Sequence, residues 1–506
     1  MMVQQHRKRV LFYLCKISVV MAILYLARLD TKLNDFINKK IKGFSKQITD
    51  VPSKAKYEVN KTLVARMAEV NLDEYEAKLN THASNERVII LALVDAAFFD
   101  MTLNFYETSI EKYNITNYLF IASDYQTCEI FVNKDIHCYV YMIDNNANKA
   151  TIYKSFAFNQ KMNIRTYFIL DALKLGFTVL HTDVDIVFFS NPLENLYSSV
   201  HSDVACLSDN GVCNAGFIYI KPSNFSIDIY RRMKNLALET KLDDQTALNR
   251  ALASVRKQNG KVMKRHQLLD INKYQCGLKY FEQGHRYFAD SATCPQCIVV
   301  HNNWIVSKEA KRYRFREVLL WSYDDNGYYS NDTAKYLIYS NAPTTKLYSS
   351  NTEIDALKTA LYLGHVLSRV VILPRFHLYD TKSSTKQGAE RPLNNWIKMS
   401  SFDDQFYKKY RERSFLDHIK VPLRIRRNIT SPFWIKTHQS ITMIGEHPPG
   451  VNVLAPTDEN SVTTEEIVKW FGRERSVILK FHSLYGIFGN SSIPASEVSL
   501  CEKLKF

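Results

Sequence analysis

The stretch LGFTVLHTDVDIVFFSNP, residues 175–192, decides how the rest of this chain is read. Phe177 to Phe189 is an apolar run predicted as a single strand, ended by Asn191–Pro192. Two carboxylates, Asp183 and Asp185, interrupt it. Residues two apart on a strand face the same way, so this spacing aims both carboxylates together at the strand's exit. Hard oxygen ligands of this kind suit Mn²⁺ or Mg²⁺. The alternative is that the two aspartates only cap a following turn.

Upstream, Ile164, Tyr167, Phe168, Ala172 and Leu175 share one helical face, and Gly176 stands where a C-terminal cap belongs. Lys161 and Arg165 lie one turn apart on that helix, where they either reach ligand phosphates or form a solvated face. Before it come three short apolar runs, VIILALV (88–94), NYLFIAS (117–123) and HCYVYMI (137–143), each of strand length. Asp95 directly follows the first run, at the end of a strand where nucleotide-binding sheets meet their ligands. It either touches base or ribose there or caps a turn.

Downstream, DVACLSD (203–209) and AGFIYIK (215–221) read as strands, with helices over 226–238 and 244–256, the second N-capped by Asp243 or Asp244. Gly216 either lets backbone approach a ligand closely or relieves strand packing. CIVVHNNW (297–304) is a last apolar strand with a polar end. His301 at that end is either a metal ligand or a structural hydrogen-bonding residue, and Lys308, Lys311 and Arg312 after it are placed to meet a diphosphate. Strands alternating with helices predict an α/β domain with a largely parallel sheet. A second body begins near residue 335. Tyr336–Ser340, the helical pattern Glu353–Ser368 and Val370–Leu373 form a β–α–β unit, and Val477–Phe481 adds a strand.

With 46% hydrophobic residues in 506, the chain can bury a large core, and global disorder is excluded. The net charge of +15 favours an anionic partner. Neither a zinc-finger spacing nor aromatic–basic interleaving is present, so nucleic acid is not expected. Val10 to Ala27 is an 18-residue apolar run preceded by Arg7, Lys8 and Arg9. It reads as an uncleaved signal anchor with a short cytosolic tail and a lumenal body. Leu33, Ile37, Ile41, Phe44 and Ile48 then mark one helical face of a stem over 28–85, suited to packing on the body, to a homodimer contact or to the membrane surface. Eight cysteines beyond the anchor, an even number, fit disulfides, and the Cys294–Cys297 pair, with no second CxxC, fits a disulfide better than zinc. Sequons fall at Asn60, Asn114, Asn224, Asn331, Asn428 and Asn490.

Four blocks now carry a family likeness. LGFTVLHTDVDIVFFSNP (175–192), CNAGFIYIKPS (213–223), LDDQTALNRAL (242–252) and VVHNNWI (299–305), in this order, resemble the nucleotide-diphospho-sugar transferase family, which includes plant pectin α-xylosyltransferases and cell-wall arabinosyltransferases. The resemblance covers residues 86–325 and implies a GT-A-type, Rossmann-like mixed sheet flanked by helices. It further implies a nucleotide-sugar donor, a UDP-sugar above others, a glycan or glycoprotein acceptor, dependence on Mn²⁺ and retention of anomeric configuration. Asp185 is then a direct metal ligand, Asp183 serves metal and ribose, and His301 supplies a further ligand. Asn214, Ala215 and Gly216 line the donor sugar, and Asp244 and Gln245 lie beside the reacting carbon. Asp95, Lys161, Arg165 and Lys308 complete the expected donor site.

The expected organisation is a tail (1–9), an anchor (10–27), a stem (28–85), a transferase domain (86–330) and a C-terminal α/β accessory module (331–506). The expected setting is the Golgi membrane, single-pass, with the catalytic domain lumenal. The competing reading is a non-catalytic glycan-binding protein on a decayed transferase fold, against which the intact Asp183, Asp185, His301, Asp244 and Gln245 speak. A phosphoester hydrolase would want a second metal cluster, and the sequence offers none.

Overall fold

The computed structural model describes residues 71–141, 155–240, 242–255, 265–341, 350–378, 389–444 and 449–489. The expected anchor and the stem stripe lie outside them, and among the described residues no helix is long and apolar enough to cross a membrane.

The frame is a seven-stranded sheet whose strands run β3-β2-β1-β4-β7-β6-β8. These are β1 (Val88–Val94), β2 (Tyr118–Ala122), β3 (Cys138–Val140), β4 (Thr178–Thr182), β6 (Val204–Asp209), β7 (Val212–Ile220) and β8 (His266–Leu268). The sheet is mixed. β3, β2, β1 and β4 are parallel, and β7 runs antiparallel to β4 and β6. β1 is an unbroken apolar run because a central parallel strand is buried on both faces. From β1 the chain builds outward through β2 to β3, then returns to place β4 on the other side of β1. This reversal makes a crevice at the carboxyl ends of β1 and β4, where ligands of open α/β sheets bind.

The Phe156–Lys174 helix leads into β4. Ser155 caps its start by accepting from the Phe158 amide at 3.1 Å. Its end is a Schellman turn. The Gly176 and Phe177 amides return to the Leu173 and Ala172 carbonyls, and Gly176 takes φ +84, which a side chain would disfavour.

The structure corrects one reading. Residues 177–189 are not a single strand. β4 stops at Thr182, Asp183 to Asp185 form a bend, and β5 (Ile186–Phe188) belongs to a separate three-stranded sheet of order β5-β10-β9. The other members are β9 (Tyr274–Gln275) and β10 (Val299–His301). The apolar pattern runs on through the bend because Val184 and Ile186 are buried on each side of the change of sheet.

The expected β–α–β unit is present. Tyr336–Ile338, the Ser350–Val366 helix and Val370–Ile372 form it. Its two strands are central in a four-stranded parallel sheet, completed by Tyr410–Arg411 and Ile478–Lys480. One face of this sheet shares the core of the first. Tyr336, Ile372, Phe415 and Ile478 pack into the cluster that contains Phe188, Phe217 and Trp321.

Among the described residues three disulfides form, Cys128–Cys138, Cys206–Cys213 and Cys294–Cys297. Cys276 is buried and unpaired among the described residues, so the even count does not translate into pairs there. Asn114, Asn224, Asn331 and Asn428, the sequon asparagines within the described residues, are all exposed.

A buried polar network joins the two sheets. The Glu317 carboxylate accepts from the Arg413 amide at 3.1 Å, and Tyr328 donates to Glu412 at 2.7 Å. The Arg316 and Arg411 guanidiniums lie over the Tyr328 ring at 3.7 and 3.9 Å. Burial, with Glu412 nearby, pushes the Glu317 carboxyl up to about 8, from 4.5. Between those values the folded chain holds a proton that the unfolded chain has released, so stability falls as pH rises through that window, by about 1.4 kcal/mol per unit. Glu317→Gln is expected to remove this slope and to raise the urea midpoint at pH 8 relative to wild type. Equal midpoint shifts at pH 5 and pH 8 would show that Glu317 does not carry the effect.

Candidate active site

The Asp183–Asp185 bend lies where the chain passes from one sheet to the other, and three neighbours fix it. The Asp183 amide donates to the Gly216 carbonyl on β7 at 2.7 Å. The Asn302 amide donates to the Asp185 carbonyl at 2.8 Å. His301 ends β10 directly opposite Ile186. Asp183, Asp185 and His301 thereby bring one ligand atom each within 4.8 Å of one another, a group that could hold a metal ion. His301 Nε2 stands 3.3 Å from Asp185 and 3.7 Å from Asp183.

Gly216 forms the floor of this group. A Cβ built there would stand 2.3 Å from Asp183 Oδ2 and 2.7 Å from His301 Cε1. The absence of a side chain at Gly216 is what lets Asp183 and His301 lie this close to β7. The donor set of two carboxylates and one imidazole fits a divalent first-row cation.

The electrostatics keep Asp185 ionised. Burial alone would raise the Asp185 pKa, but the Lys311 ammonium at 2.7 Å and the His301 ring outweigh it and hold the group well below the ordinary carboxylate range. Arg165 is buried and bridges Asp183, at 2.5 Å, to Asp244. Burial opposes its charge, and those two carboxylates more than offset that opposition. Beneath them His181 is held neutral, its pKa lowered to about 3 by burial and by Arg165. Its Nδ1 donates to the Leu91 carbonyl at 3.1 Å, which leaves Nε2 as the acceptor facing Arg165.

The remaining expected residues fall around this centre. Asp95 caps a short 3₁₀ turn by accepting from the Phe98 amide at 2.9 Å, and it also pairs with buried Lys161. Lys161 and Arg165 therefore do not form a solvated face. Lys308 donates to the Ala97 carbonyl at 3.1 Å, beside the same strand end. Arg312 pairs instead with Asp100 and Asp403. The helix at 244–255 is capped by Asp243, which accepts from the Thr246 amide at 2.9 Å. Asp244 is thus released to face Arg165, and burial raises its pKa. Gln245 accepts from the Asn214 side chain at 3.0 Å and from the Ala215 amide at 3.3 Å.

One organising residue escaped the sequence reading. Asp209 ends β6 just before the Asn210–Gly211 turn, where both residues have positive φ. Its Oδ2 accepts from Asn214 and Gln245, each at 3.2 Å, and its Oδ1 from the Trp304 indole at 2.6 Å.

The ordered segments that build this site also carry the chain's likeness. Residues 113–315 match the nucleotide-diphospho-sugar transferase family. The matched segment contains every residue of the candidate metal group, together with Gly216, Asp244 and Gln245. The UDP-galactose:fucoside alpha-3-galactosyltransferase of Dictyostelium discoideum is 26% identical over 306 residues, covering 50% of this chain and 45% of that protein. The UDP-D-xylose:L-fucose alpha-1,3-D-xylosyltransferase of Arabidopsis thaliana is 27% identical over 278 residues, covering 48% of this chain and 71% of that one. The chain thus spans less than half the length of the first of these relatives. Among solved structures, the glycosyltransferase GlyE of Streptococcus pneumoniae aligns with 83% of this chain and 100% of its own, at 12% identity and a TM-score of 0.31.

Proposed function

We propose that this protein is a Mn²⁺-dependent glycosyltransferase of GT-A type that moves a sugar from a UDP-sugar to a glycan or glycoprotein, with retention of configuration. The observation that carries the reading is the convergence of Asp183, Asp185 and His301 at the strand ends, inside the segment that matches nucleotide-diphospho-sugar transferases. The names of these two relatives pair a UDP-sugar with a fucose or fucoside, which supports a UDP-sugar donor and makes methyl α-L-fucoside the first acceptor to try. The apolar run at 10–27 and the three disulfides support a type II membrane protein of the Golgi with its body in the lumen. Residues 86–330 are then the transferase domain and 331–506 an accessory α/β module.

In this reading Asp183, Asp185 and His301 hold the cation. When bound, it neutralises the charge that builds on the departing diphosphate. Lys311 keeps Asp185 ionised and adds positive charge beside the same group. Asn214, Ala215 and Gly216 present a backbone edge to the donor sugar, braced by Gln245 and Asp209. Asp244, turned inward by Arg165, borders the reacting carbon.

The test is UDP-sugar hydrolysis and transfer across a donor series, with and without Mn²⁺, with NMR of the product anomer. Asp185→Ala is expected to lower turnover by about 10²–10³-fold, the cost of losing one group that stabilises developing charge. Unchanged turnover in that variant would remove the metal assignment. Absence of UDP binding by the wild type in calorimetry, with any divalent ion, would favour a non-catalytic glycan-binding protein.

A further inference from the structure

Trp304 combines three properties that seldom coincide. Its side chain is large and apolar, yet the residue is 52% exposed. Its backbone takes φ +58, a left-handed conformation rare for an aromatic residue and found where surrounding structure enforces it. Its position is nevertheless rigidly specified.

That rigidity comes from the turn after β10. The Asn302 side chain donates to the Lys311 carbonyl at 2.9 Å and accepts from Arg314 at 2.7 Å. The Asn303 side chain accepts from the Gly277 amide at 2.6 Å, and the Asn303 carbonyl accepts from Arg314 at 2.6 Å. The Trp304 indole N–H is anchored on Asp209, the same carboxylate that holds Asn214 and Gln245. Asp209 accepts from all three, so its contribution is to fix the indole and the Asn214–Gln245 pair in one frame. An exposed aromatic ring costs solvation and a positive φ costs backbone energy, and a purely structural role for Trp304 would explain neither.

We infer that the exposed face of Trp304 is the acceptor platform, taking the apolar C–H face of a sugar ring and setting its hydroxyl toward the donor sugar beside Asn214 and Gln245. The inference rests on the transferase reading above and names a binding residue for its second substrate. Aromatic residues suit this task because one face is apolar while the N–H edge stays tied to a polar partner. The platform lies three residues after His301, in a turn whose Asn302 amide grips the Asp185 carbonyl, so the acceptor and the candidate metal group share one rigid segment.

The experiment compares wild type, Trp304→Ala and Trp304→Phe in the full-length protein. UDP binding with Mn²⁺ is measured by calorimetry, UDP-sugar hydrolysis without acceptor by UDP release, and transfer against methyl glycosides led by methyl α-L-fucoside. Trp304→Ala should raise the acceptor KM about tenfold or more while UDP binding and acceptor-free hydrolysis stay within about twofold. Trp304→Phe, which keeps the ring face and loses the N–H, should restore part of the acceptor affinity. An unchanged acceptor KM in Trp304→Ala would overturn the inference, as would a parallel loss of acceptor-free hydrolysis, which would place the ring on the donor. A wild type that hydrolyses the donor but uses no sugar in the series also counts against it. A wild type that binds no UDP would instead remove the transferase reading itself.

Discussion

Gly216→Ala is expected to abolish metal-dependent activity while leaving a folded protein. The added methyl would stand 2.3 Å from one Asp183 oxygen and 2.7 Å from the His301 ring, and no rotamer of alanine avoids this. Gly216 sits within β7 and does not need a positive φ, so the backbone itself tolerates alanine. The strain must be relieved by displacing Asp183 or His301, two side chains that the proposed cation site needs in register. Overpacking of this kind costs about 1–3 kcal/mol of stability, which a protein of this size survives. Misplacement of a ligand by a fraction of the coordination distance is far more damaging, and a loss of at least ~10²-fold in turnover is expected. Calorimetry with UDP and Mn²⁺ reads the effect directly. Wild-type affinity in Gly216→Ala would mean that Asp183 and His301 are not joint ligands.

Removal of Arg165 should have the largest effect on stability. Its guanidinium is enclosed with Asp244, whose side chain is 5% exposed, and also holds Asp183. Arg165→Ala strands a buried carboxylate without its partner, a lesion worth about 3–5 kcal/mol. Part of this is relieved by protonation, because burial already raises the Asp244 pKa. The loss should therefore be smaller at pH 5 than at pH 8. Arg165→Lys separates the two roles. A lysine keeps the charge but cannot reach both carboxylates through a planar fork, so it should recover much of the stability and little of the turnover. Urea denaturation at both pH values, alongside UDP-sugar turnover, checks each half. If Arg165→Lys matches wild type in both, the bridge between Asp183 and Asp244 is not required.

Six of the seven strands of the main sheet were legible because burial leaves an apolar run, whereas β8 (His266–Leu268), only partly buried at the sheet's edge, was not read. VIILALV at 88–94 coincides with β1 to the residue. The β–α–β unit beyond residue 335 was legible for the same reason. The break at Asp183–Asp185 was not, because hydrophobic periodicity records burial and is blind to which sheet does the burying. Asp183, Asp185 and His301 could be chosen through family likeness, whereas their proximity depends on pairing between β5 and β10. Asp209 was hidden for a different reason. Its place before Asn210–Gly211 marks a hairpin, but two of the groups it holds, on Gln245 and Trp304, lie 36 and 95 residues away. Asp244 shows local chemistry resolved by tertiary contact. Either of two adjacent aspartates could cap the helix, and Arg165 claims the second.

The change of sheet between β4 and β5 also has a mechanical meaning. Asp183 follows the last residue of β4 in the seven-stranded sheet, while Asp185 directly precedes β5 and His301 ends β10 in the three-stranded one. A cation gripping all three would rivet the two sheets together, so the spacing of its ligands and the seating of one sheet on the other are a single variable. Packing residues such as Val187 and Val300, paired across the small sheet, would then tune metal affinity without touching the ion.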